Sequence, residues 1–168
     1  EIKDLLAYFR LTVNAHDQES LKRVINYPAR GIGATTLEKL EEQSAMRGKS
    51  IWNLIVDGDL SQAGINTGTQ KKLIGFVQLI SLFAAKMDNL SAYELAREIV
   101  ADSGVLKELH LDKSVENQSK IENIEELINA IKDFTATRIE SGESQSLVSF
   151  LEEVSLLTDH DTDKDGDN

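Results

Sequence analysis

Arg30-Gly31-Ile32-Gly33-Ala34-Thr35-Thr36 follows the only proline of the chain, Pro28. A Gly-apolar-Gly turn that opens a helix suits contact with a nucleic-acid backbone. The glycines let the main chain turn sharply and approach a phosphate with no Cβ in the way. The helix behind them offers unpaired N–H groups and the positive end of its dipole. None of these residues does covalent chemistry, so the pattern suggests holding rather than cutting. A plain glycine turn between two packed helices has the same local sequence.

Charge favours the first reading. The 168 residues carry a formal net charge of −11, which argues against a general polyanion binder. From Lys22 to Lys49, however, six basic residues face three acidic ones. This one basic segment holds the glycine turn, and phosphate binding needs local rather than global positive charge.

Other chemistry is thin. There is no cysteine, which excludes disulfides, thiolate metal sites and cysteine catalysis. That fits a reducing compartment, and a cytoplasmic location is expected. His16, His110 and His160 show no metal-ligand spacing. No Gly-rich Lys-Ser/Thr phosphate loop occurs, and no catalytic triad or carboxylate pair can be argued from spacing. Asp161-x-Asp163-x-Asp165-Gly166 matches the first half of a calcium loop, but the twelfth-position Glu is missing, so an acidic linker is the favoured reading. No metal site, cofactor site or catalytic residue is expected in the chain, and no apolar run reaches the roughly 20 residues of a membrane span.

The elements that must position the turn read as helix throughout, with no strand and no internal repeat. Ile2, Leu5, Leu6, Phe9 and Val13 form one apolar face. Ser20 is placed to cap a short helix carrying Leu21, Val24 and Ile25. Thr35-x-x-Glu38 reads as a capping box opening a helix with Leu37, Leu40 and Met46 inward. Trp52 reads as a core anchor. Residues 57–69 read as a loop. A helix from about Thr69 to Met87, with Ile74 among its inward residues, has the width of a central helix. Ser91-x-x-Glu94 is a second capping box, and Gly104 ends its helix. Residues 109–119 read as loop, Ile121 to Phe134 as an amphipathic helix with Glu122, Glu125 and Glu126 on its polar side, and Leu147 to Val154 as the last helix. The fold class is all-α, one domain of seven or eight helices.

Four stretches, in order along the chain, resemble the UvrD/PcrA/Rep-type superfamily 1 DNA helicases. They are Glu1–Leu11, Arg23–Gly33 with Thr36 and Leu37 beyond, Ile121–Leu127, and Phe150–Leu156 before an acidic stretch. The second is similar to the Gly-Ile-Gly motif of that family, a helix-hairpin-helix-like turn. The resemblance implies that residues 1–157 form the helical 2B insertion and that 158–168 are an acidic flexible linker toward a motor domain. It implies a parent enzyme that hydrolyses ATP with Mg2+, moves 3′ to 5′ on single-stranded DNA, and acts in repair or replication. The chain itself holds none of the ATP-binding motifs, so an inactive piece is expected. By the same resemblance Arg30, Gly31, Ile32, Gly33, Thr35 and Thr36 would meet the duplex backbone, positioning it without reading sequence. The partners implied are duplex DNA and the other domains of the parent. The competing expectation is a docking module whose acidic surface binds protein and never touches DNA.

Overall fold

The computed structural model describes the backbone of residues 1–58 and 60–166 and the side chains up to residue 158, Asp59 excepted. Nine α-helices run through the described residues: α1 (Ile2–Val13), α2 (Gln18–Val24), α3 (Ala34–Arg47), α4 (Ile51–Asp57), α5 (Thr67–Ala84), α6 (Ala92–Asp102), α7 (Val105–Leu109), α8 (Val115–Ser141) and α9 (Leu147–Gly166). A 3-10 turn, Ser61–Ala63, lies between α4 and α5. No strand occurs among the described residues. The fold is all-α, with more helices than the periodicity suggests. The calcium half-loop lies outside the described side chains, as does most of the expected linker.

The centre of the bundle is α1, not the 69–87 helix expected from its wide apolar face. Leu5, Ala7, Tyr8, Phe9, Leu11 and Thr12 of α1 are all buried. Their side chains point in several directions, and α1 packs against α2, α5, α6, α8 and α9. Its regular apolar face is legible, but burial extends past that face to Ala7, Tyr8 and Thr12, so a face-counting argument undervalues it. On α5, Leu73, Phe76, Val77, Ile80 and Phe83 are buried, while Ile74 is 41% exposed. An edge-on contact between Phe134 and Phe150, with ring centroids 5.4 Å apart, joins α8 to α9.

Helix ends follow local chemistry, with two corrections. The cap of α2 is Asp17, whose carboxylate accepts from the Ser20 N–H and hydroxyl; Ser20 lies three residues inside. The cap of α3 is Gly33, so Thr35 already lies in the first turn and the Thr35–Glu38 box does not form. Met46 on α3 is 72% exposed rather than inward. Ser50, Asn66, Ser91 and Ser114 cap α4, α5, α6 and α8 with side-chain oxygens. Trp52 is partly buried against the core. The Ser114 cap starts α8 well before Ile121, inside the stretch read as loop.

Candidate nucleic-acid interface

Between α2 and α3 the chain makes a tight, well-anchored turn. The Asn26 side-chain oxygen accepts from the Arg30 N–H at 2.7 Å and from the Ile32 N–H at 3.1 Å, fixing the path on either side of Gly31. Gly31 takes φ +76°, a left-handed conformation that costs any other residue roughly 1 kcal/mol or more. Ile32 is 2% exposed and ties the middle of the turn to the core. Gly33 is extended, at φ −84° and ψ 175°, and a Cβ there would meet nothing within 4 Å. Its value is therefore the open space it leaves and not its backbone freedom. Gly31, Gly33 and Thr35 are exposed, and Thr36 is half-buried.

Arg30 behaves differently from the sequence expectation of a surface charge. Its guanidinium turns inward and donates to the carbonyls of Val24 (2.9 Å), Ile25 (3.2 Å) and Tyr27 (3.2 Å) at the end of α2. The other arm donates to the Tyr8 hydroxyl at 2.6 Å and to the Ser103 carbonyl at 3.3 Å. The plane lies over Phe76, 5.1 Å from its centroid, and over Tyr8 at 5.8 Å. The Tyr8 hydroxyl in turn donates to the Tyr27 carbonyl. One side chain thus closes the C-terminus of α2, where unpaired carbonyls favour a cation, and links it to α1, α5 and α6.

The turn has a counterpart in the same chain. From Gly31 to Leu40 and from Gly64 to Leu73 the order of residue types repeats: Gly, Ile, a cap residue, then Thr36 or Thr69, Lys39 or Lys72, and Leu40 or Leu73. The geometry repeats with it. Gly64 is left-handed at φ +78°, Ile65 is buried, and Asn66 caps α5 with φ −70° and ψ 162°. The two copies also exchange contacts. Lys39 donates to the Gly64 carbonyl at 2.9 Å, and Lys72 Nζ lies 2.7 Å from where a Gly31 Cβ would stand. The sequence expectation of no repeat is therefore corrected.

The copies differ at the cap. In the second turn the Asn66 side-chain oxygen accepts from the Thr69 N–H at 2.8 Å. In the first turn Gly33 brings no oxygen, and α3 has no side-chain cap and no acid in its first turn. The equivalent N–H belongs to Thr36. An acceptor oxygen from another molecule has room at that position and a dipole that favours negative charge.

Elsewhere the described residues hold no cluster of His, Cys, Asp and Glu fit for a metal ion. No helix among them is long and apolar enough to cross a membrane. His16 Nδ1 lies 2.9 Å from the Ser50 hydroxyl, a helix-end contact and not a ligand set.

The site is an exposed glycine turn on the basic segment of an all-helical domain. The profile of the UvrD-like helicase C-terminal domain matches residues 1–167, and the chain belongs to that family. It is 37% identical over 161 residues to the ATP-dependent DNA helicase PcrA of Bacillus subtilis, covering 96% of this chain and 21% of that protein. The PcrA proteins of Staphylococcus aureus and Staphylococcus epidermidis are 32% identical over the same length, 96% of this chain and 22% of each. The chain thus spans about a fifth of the length of the curated relatives it matches.

Proposed function

We propose that this chain is the 2B helical insertion of an ATP-dependent 3′–5′ DNA helicase and that it holds the sugar-phosphate backbone of duplex DNA during unwinding. The observation that carries the reading is the uncapped start of α3 beside its self-capped twin. Asn66 supplies its own oxygen to α5, while Gly33 leaves the matching position of α3 open for an oxygen from outside. A phosphate oxygen there would meet the Thr36 N–H, with the Thr35 hydroxyl and the exposed Gly31 and Gly33 alongside. Ile32 serves as the anchor beneath. Such contacts fix position and carry no sequence information. The names of the relatives, ATP-dependent DNA helicases, support the substrate class. ATP and Mg2+ would be bound by the motor domains of the parent, and repair or replication would be its setting.

The test is binding of the 168-residue chain to a fluorescent DNA hairpin with a single-stranded tail at low salt. Gly33→Asn should copy Asn66. The fold should hold or gain a few tenths of a kcal/mol from the new cap, while DNA affinity falls. Gly33→Asp should remove binding altogether, since it adds like charge to the phosphate position. Circular dichroism checks that both variants fold. Binding that is indifferent to both changes would sink the assignment.

A further inference from the structure

Resting on the duplex reading above, we propose that Arg30 is the positioning residue of the turn and that the cation meeting a backbone phosphate there is Lys72, which arrives from α5. Five hydrogen bonds hold the Arg30 guanidinium, three to the end of α2, one to Tyr8 and one to the last turn of the α6 region. Two aromatic rings cover it. Turning this group outward to a phosphate would take a donor at once from the carbonyls of Val24, Ile25, Tyr27 and Ser103 and from the Tyr8 hydroxyl. Val24 and Tyr27 would keep the Tyr27 N–H and the Tyr8 hydroxyl, while the Ile25 and Ser103 carbonyls would lose the guanidinium with no such second donor beside them. Buried acceptors left without a donor are costly. The planar fork is what makes the arrangement possible, because a lysine ammonium cannot reach three carbonyls and a phenol on opposite sides.

Lys72 has the opposite character. It is exposed, and its ammonium stands against Gly31 on the outer side of the turn. Its counterpart Lys39 makes the equivalent approach to Gly64 and is committed to that carbonyl. At the self-capped turn the lysine is therefore a structural donor. At the open turn it is an exposed charge against Gly31, on the turn that would hold the phosphate.

The two roles separate in one set of measurements on the 168-residue chain: affinity for the hairpin as a function of salt, and hydrogen exchange of the Ile32 amide without DNA. For Lys72→Gln the slope of log K against log salt should shrink by about 0.9, one phosphate contact, with Ile32 exchange unchanged. For Arg30→Lys, which keeps the charge, affinity should fall several-fold at an unchanged slope, and Ile32 exchange should speed up. Should Arg30→Lys fail to fold, Tyr8→Phe removes one partner of the fork and should raise Ile32 exchange in the same direction. Full rescue by Arg30→Lys, with wild-type exchange, would overturn the positioning role. An unchanged slope in Lys72→Gln would overturn the lysine assignment. Absence of DNA binding by the wild type would take down the duplex reading and the Lys72 assignment together, while the exchange rates would still decide the role of Arg30.

Discussion

Tyr8 is fully buried, and that burial pushes its phenol up to about 12, against the pull of the Arg30 guanidinium beside it. The consequence for stability has a definite sign. Below about pH 10 the phenol is neutral in both folded and unfolded chains. As pH rises from 10 toward 12, the unfolded phenol ionises while the folded one keeps its proton, so stability falls across that window. A difference of that size corresponds to roughly 2–3 kcal/mol. Urea unfolding at about pH 9 and about pH 11.5 should show the loss in the wild type, and Tyr8→Phe should lack this component. An identical pH dependence in the two proteins would refute it. At this scale the sequence is a partial guide. Gly31, Gly33 and Thr35 of the turn are exposed and Thr36 is half-buried. The direction of Arg30 depends on Phe76 and Ser103, which are far away in the chain and adjacent only after folding. Lys72 is beyond local reading for the same reason, though the shared Gly-Ile and Thr-x-x-Lys-Leu order of the two turns is a sequence signal that leads to it.

Helices with a polar cap and a one-sided apolar face are legible from sequence: α6 behind Ser91 and the centre of α8 are examples. Two kinds of element are not. Short α7 has five residues after a left-handed Gly104, too few for a period to show. Central α1 shows one regular apolar face, but the burial of Ala7, Tyr8 and Thr12 beyond it, which sets its rank, depends on the helices packed around it. Its importance sets a measurable contrast. Leu5→Ala in α1 removes a side chain with no exposed area and should cost about 2–5 kcal/mol. Leu156→Ala in α9, where the side chain is 70% exposed, should stay within about 0.5 kcal/mol. Denaturant midpoints compare the two directly, and equal effects would mean that α1 is not the centre of the core.

The whole molecule is acidic, with one basic stretch around the turn. Salt should therefore act on it in two opposite ways. Screening relieves the self-repulsion of a chain carrying −11 and should raise its melting temperature. The same screening should weaken hairpin binding steeply between about 50 and 200 mM. Thermal melts and binding curves over one salt series would show the two trends diverging. Parallel trends would mean that the proposed duplex contact is not electrostatic.

The fork of Arg30 also settles where force goes. A pull on the turn, as from a DNA strand under tension, meets a guanidinium bonded to the end of α2, to Tyr8 and to the Ser103 carbonyl. Through these bonds the load would pass into α1 and the end of α6, whose inward side chains are buried in the core. The turn is mounted as a rigid bearing, and displacement at its surface should reach the first helix almost undiminished.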